Sequence, residues 1–195
     1  VKPWFTYLLA IILGLVIGTI TVPQIAGFVV AKQTIENGPW QTFDKIGATD
    51  ADMYVRFVIS VRGLFGLAKK ETIYFNAETD SDGLSLTSNC TYNLTGGPMA
   101  TRWWSITAYG PDHYLIPNPE KSYAISENNL DIDDAGRFTV MLSRQQSGGN
   151  WLATGAPNDG EQAFALTLRL YNPTAEIYSN MTGVDLPQIK REHCA

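Results

Sequence analysis

The hydrophobic pattern of this chain changes character twice. Pro3 to Ala31 contains no Asp, Glu, Lys, Arg or His, and residues 4–22 (WFTYLLAIILGLVIGTITV) are apolar apart from threonines, a tyrosine and glycines. Crossing a hydrocarbon core of roughly 30 Å takes about 20 helical residues. In lipid the backbone amides must pair within the segment, so the run predicts a membrane-spanning helix. Trp4 and Tyr7 suit the headgroup layer at one end. Gly14 and Gly18 form a small-residue spacing that can admit a second helix. Pro23 is expected to end or kink the helix, with 24–31 as an interfacial turn. A signal peptide has a shorter apolar core and a small-residue cleavage site. Gln24-Ile25-Ala26 is a poor one, so a retained signal-anchor is expected.

The second pattern is helical and amphipathic. Thr49-Asp50-Ala51-Asp52 offers capping oxygens, and Tyr54, Phe57, Val58, Val61, Leu64 and Phe65 recur at helical spacing, with Arg56 and Arg62 off the stripe. A helix over about 50–67 follows. The third pattern alternates. In LSLTSNCTYNL (84–94), Leu84, Leu86, Ser88, Cys90, Tyr92 and Leu94 share one face. With residues 71–78 and the turn Asp80-Ser81-Asp82-Gly83 this segment predicts a hairpin. Further strands are expected at 102–109, 113–117, 121–126, 137–143, 150–154 and 163–171, punctuated by Gly, Pro and Asp turns. Short strands at this spacing predict a mainly β fold: an antiparallel β-sandwich or jelly roll with one amphipathic helix, behind a single N-terminal transmembrane helix. The expected organisation is an anchor over 1–31, a connector over 32–48 and the β-sandwich domain over 49–195.

Charge and cysteine content narrow the function classes. A net charge of −5 and the absence of a basic cluster exclude a nucleic-acid reader and a polybasic lipid patch. Cys90 and Cys194 can oxidise in an exported domain. Because Cys90 sits on an apolar strand face, two free thiols are the expectation.

Several sequence words together resemble the bacterial domain of unknown function 1214. They are NGPW (37–40), KKETIYFNAETDSDG (69–83), RWWSITAYGPDHYLIPN (102–118), GRFTVMLS (136–143), NWLATG (150–155), LTLRLYNP (166–173) and PQIKR (187–191). That domain often occurs beside or fused to the domain of unknown function 1254, which is absent here, and this chain looks like a short membrane-anchored form. The resemblance implies a jelly-roll sandwich and, the family being named for lacking one, no particular activity.

Candidate chemistry centres on a polar aromatic cluster. Trp103, Trp104, Tyr109, Trp151, Arg169 and Tyr171 are the ligand-binding candidates, with Tyr74 nearby; rings would stack on a sugar or another ring, and Arg169 would pair a carboxylate. The simpler reading is a buried ion pair of Arg56 or Arg169 with Glu71, tying helix to sheet. Asp112-His113 reads as a solvated turn, since only His193 could assist it. The scattered Cys and His make no zinc site. The turns Asp80–Gly83 and Asp131–Gly136 faintly resemble calcium loops, but Leu142 occupies the position of the bidentate acid. No acid pair is selected for glycoside hydrolysis. No catalytic residue, metal or cofactor is expected. The expectation is a single-pass protein of the bacterial inner membrane, its C-terminal domain in the periplasm. It would be an accessory or interaction subunit that meets lipid and a membrane-protein partner through the helix or a sandwich face. The alternatives are a carbohydrate or small amphipathic ligand-binding module and an envelope glycan hydrolase.

Overall fold

The structure, a computed structural model, describes residues 3–43, 48, 51–61, 67–146 and 148–195. Thr49, Asp50, Arg62, Leu64 and Phe65 of the expected amphipathic helix lie outside the described residues. Helix α1 spans Pro3–Gln33, 31 residues, or about 46 Å at 1.5 Å each. It is long and apolar enough to cross a membrane. Contrary to the expectation at Pro23, the helix runs through it without ending. A missing amide hydrogen removes only one ladder bond, and the turns beyond are held from outside. Ala26 is buried against the domain, and Gln33 Nε2 donates to Asp52 Oδ2 at 3.0 Å. Higher in the helix, the hydroxyls of Thr19 and Thr21 donate to carbonyls of the preceding turn, Thr21 to Ile17 O at 2.8 Å, and so need no outside partner.

The following elements, in chain order, are β1 (Thr34–Asn37), β2 (Trp40–Phe43), α2 (Met53–Val61), β3 (Thr72–Ala77), β4 (Cys90–Gly96) and β5 (Trp103–Tyr109). Then come β6 (Ala124–Ser126), β7 (Phe138–Ser143), β8 (Trp151–Ala153), β9 (Ala165–Tyr171), α3 (Ala175–Ser179), a 3₁₀ turn at Met181–Gly183 and β10 (Gln188–Cys194). Asp52 caps α2: its Oδ1 accepts from the amides of Tyr54 and Val55 at 2.9 and 3.0 Å. The same carboxylate thus binds both helices.

The strands form two sheets, in the orders β1-β2-β3-β9-β5-β6 and β10-β4-β7-β8, antiparallel except for the β7–β8 pair. Their inner faces make one core. Ile73, Phe75 and Ala77 of β3, Leu166, Leu168 and Leu170 of β9 and Ile106 of β5 meet Tyr92 and Leu94 of β4 and Val140 and Leu142 of β7. Trp104 of the larger sheet stacks on Phe138 of the smaller, ring centroids 4.8 Å apart. The mainly β, two-sheet sandwich behind an apolar helix is therefore the fold that the alternation predicts.

Local differences are instructive. The expected hairpin forms only at its turn, where Thr79 bridges Ser85 and Leu86 N donates to Glu78 O at 2.9 Å; beyond it β3 and β4 part into different sheets. The alternation within 86–94 holds, with Leu86, Tyr92 and Leu94 fully buried. The segment 113–117 contributes a single bridge, Leu115 to Tyr109, rather than a strand. Residues 34–43 of the expected connector are the paired strands β1 and β2, with Trp40 fully buried and its Nε1 donating to Pro187 O.

The C-terminal strand carries the largest correction. β10 pairs along β4, and the extra residue Glu192 bulges out, shifting the register so that Cys194 falls opposite Cys90. The two cysteines form a disulfide rather than remaining free thiols. Beside it, Arg191 Nε meets the fully buried carboxylate of Asp80 at 3.1 Å. Asp80 Oδ1 also accepts from the amides of Asp82 and Leu84, so this acidic turn is spoken for without a metal.

Two variants probe this closure. Cys90→Ser with Cys194→Ser should lose about 2–5 kcal/mol in denaturant unfolding, and reductant should reproduce the loss in the native chain but not in the variant. Asp80→Ala leaves Arg191 without its acid in a largely buried place, and should cost about 3–5 kcal/mol in the same measurement.

Candidate functional site

The burial of three leucines on β9 sends the intervening residues to the opposite face. Thr167, Arg169 and Tyr171 therefore lie on the face of the six-stranded sheet away from the core, in its middle, with Thr167 buried and Arg169 and Tyr171 half-buried. The register sets Tyr171 between Thr72 and Trp103, Arg169 between Tyr74 and Ser105, and Thr167 between Asn76 and Thr107. The result is a grid of polar and aromatic side chains across β3, β9 and β5.

Arg169 organises the grid. Its guanidinium donates from Nη1 to Thr107 Oγ1 at 2.9 Å and from Nη2 to Tyr109 OH at 2.7 Å. It also lies near the Tyr74 and Tyr109 rings, 5.9 and 5.6 Å from their centroids. The Trp103 and Tyr171 rings lean together at 4.9 Å, and Thr167 donates to Asn76 Oδ1 at 2.8 Å. Among the described residues no carboxylate pairs with Arg169, and donors remain on its five-donor fork. Thr72 Oγ1 and Trp103 Nε1 are buried on the same face without a hydrogen-bond partner. The arrangement is chemically a half-exposed cation framed by rings and hydroxyls, suited to binding a planar anion rather than to moving protons.

The structure brings Trp103, Tyr109, Arg169 and Tyr171 together, joined by Tyr74. It sets two tryptophans apart: Trp104 lies in the core, and Trp151 is buried in the smaller sheet with Nε1 donating to Ser143 O and Oγ at 3.2 and 3.0 Å. Glu71 is exposed just before β3, one residue out of phase with Tyr74, Arg169's neighbour across the strands. Arg56 Nε donates to Ala51 O at 2.9 Å. Gly14 and Gly18 lie on a helix surface where an added Cβ would meet nothing within 4 Å. His113 occupies an exposed turn with φ of 64°, and Asp112 accepts from the Tyr114 amide. In the second acidic turn, Asp133 accepts from the amides of Arg137 and Ala135. The Arg137 amide, aided by its guanidinium, holds that carboxyl below the usual range. Among the described residues no cluster of His, Cys, Asp or Glu is fit to hold a metal. What sequence reasoning missed at Asp80 is its partner; a turn-forming Asp gives no sign that its second oxygen reaches Arg191, far along the chain.

The molecule is thus a two-sheet β-sandwich led by a long apolar helix, with a polar aromatic field on its larger sheet. Residues 71–175, more than half of the chain, match the family described as a protein of unknown function, DUF1214, and the chain belongs to that family. A crystal structure of a Vibrio parahaemolyticus protein is similar in fold, with 24% identity and a TM-score of 0.58, over 75% of this chain and 37% of that one. An uncharacterised protein from Burkholderia cenocepacia aligns at 18% identity and a TM-score of 0.41, over 63% of this chain and 29% of that one. The chain spans little more than a third of the Vibrio protein. No curated protein matches it. The family match encloses Tyr74, Trp103, Tyr109, Arg169 and Tyr171, and leaves Arg191 and Cys194 outside.

If the outer face is a ligand surface rather than a structural layer, stability should depend little on it. Arg169→Ala should cost about 1 kcal/mol or less in urea unfolding, whereas Leu168→Ala, two sides of one strand away, should cost about 2–5 kcal/mol. Equal losses would make Arg169 part of the sheet's support.

Proposed function

We propose that this chain is a membrane-tethered accessory or interaction protein without catalysis, a short anchored form of its family and a single-span subunit of a larger complex. In this reading α1 crosses the bacterial inner membrane once and the sandwich stands in the periplasm. The observation that carries it is the surface of α1: from Trp4 to Ile25 its large apolar side chains are exposed, from 39% for Val22 to 71% for Tyr7. That is far more apolar surface than water tolerates on one element. The open face at Gly14 and Gly18 supports a second helix packing there. The Cys90–Cys194 disulfide supports an oxidising compartment for the sandwich, and so its export. A domain of the 1254 type on a separate chain is among the partners we propose.

The reading is tested on the native-abundance protein. It should stay in the membrane pellet after alkaline carbonate washing and leave mild detergent with a stoichiometric partner. Replacing Gly14 and Gly18 together by isoleucine should release that partner without releasing the protein from the membrane. A carbonate-soluble protein, or a partner-free monomer, would sink it.

The Arg169 field favours a second reading, a binding module for a carboxylate-bearing sugar or ring. A uronic acid should then change Trp103 fluorescence in the native chain and leave the fluorescence of Arg169→Ala unchanged; the neutral parent sugar should do neither.

A further inference from the structure

A groove of about 420 Å³ lies where α1 meets the sandwich. One wall is the lower end of α1, at Ala26, Gly27 and Val30, and Phe57 of α2 closes the other side. Its floor is polar: Gln41 of β2, Asn76 of β3 and Glu78 just beyond β3. We infer that this groove holds the headgroup of an ethanolamine phospholipid, its acyl chains continuing along α1; the inference rests on the membrane-tethered reading.

Three observations point to that occupant. The first is depth. Some 22 residues of exposed helix precede Ala26, about 33 Å of rise, so the groove lies where the hydrocarbon ends and headgroups begin. The second is the pattern of unmet hydrogen bonds. Gln41 gives one amide hydrogen to Glu36 at 3.4 Å and keeps its carbonyl, while Asn76 Oδ1 accepts from Thr167 and its amide hydrogens stay free for a ligand. Glu78 is exposed, and no described residue pairs with its carboxylate. Acceptors at Gln41 and Glu78 beside the amide hydrogens of Asn76 match an ammonium group next to a phosphate oxygen. The third is charge. Among the described residues no basic side chain lines the groove, and Lys32, the nearest on α1, is turned to Phe28, its ammonium 4.5 Å from that ring. Among the described residues a purely anionic headgroup would therefore face Glu78, with Glu36 behind it, and gain no cation.

Native mass spectrometry of the full chain in mild detergent, with equal amounts of dioleoyl phosphatidylethanolamine and dioleoyl phosphatidylglycerol, tests this directly. The ethanolamine lipid should be retained about fivefold over the glycerol lipid, the scale of one partly exposed ion pair. Glu78→Gln should abolish the preference. Gly27→Phe, placed where an added Cβ meets nothing within 4 Å, should fill the groove and lower retention of both lipids. Thermal unfolding of both variants should match the native chain. No preference in the native chain, or a preference unchanged by both variants, overturns the inference. So does a native dimer that both variants dissociate, since the groove would then belong to a second copy. The carbonate wash reports separately on the anchor, so failure of the groove and failure of the tether are distinguishable.

Discussion

The packing of β9 against the opposite sheet is the constraint from which the rest of the sandwich follows. Leu166, Leu168 and Leu170 are fully buried, and the strand lies between β3 and β5. Each buried leucine contributes about 1.5–3 kcal/mol. A slip of one residue would bury Arg169 between two sheets and strand the leucines in solvent. The register is therefore fixed by the core, and the core in turn fixes what stands outside. The Arg169 field is the outward half of the alternation that makes the core, which is why its three rows align so regularly across β3, β9 and β5.

The same reasoning explains why the C-terminal strand needs special ties. β10 offers the core one fully buried side chain, Ile189, while Lys190, Glu192 and His193 face outward on a sheet edge. Ordering seven residues costs about 1–2 kcal/mol each in backbone freedom, against a single apolar anchor and one ladder of hydrogen bonds. The Asp80–Arg191 pair and the disulfide make up the difference, one tying β10 to the arch after β3 and the other to the first residue of β4. Charged outward residues on such an edge also discourage pairing with another chain.

These features divide into those the sequence displays and those it conceals. Period-two burial is local, so strands such as 102–109, 137–143 and 163–171 were legible, as was the apolar helix. Which strands pair is a non-local matter. Asp80 to Gly83 is as good a turn for an arch between sheets as for a hairpin within one, and only packing distinguishes them. The four-residue strands β1 and β2 are too short to show a period. The disulfide depends on a bulge at Glu192, and a bulge leaves no trace in spacing. At the candidate site, Arg169, Tyr171, Trp103 and Tyr109 were legible as one cluster because strand parity sets their face. That Trp104 and Trp151 lie elsewhere follows from parity for the first and from sheet membership for the second, and only the first could be read in advance.

The length of α1 bears on how such a molecule would work. A hydrocarbon core of roughly 30 Å would use about 20 of its residues, and the last turns dock on the sandwich through Ala26 and the Gln33–Asp52 hydrogen bond. β1 begins at Thr34, directly after the helix, with no Gly- or Ser-rich linker between. On the membrane-tethered reading the anchor is a rigid post, and the sandwich has a fixed height and orientation at the bilayer surface. A flexible tether would raise the local concentration of any sandwich face equally. A rigid one presents particular faces at particular depths: the groove beside α1 at the headgroups, and the Arg169 field further along the same sheet. Binding at either would then be selected by position as well as by chemistry, which is how a domain with modest sites can act specifically.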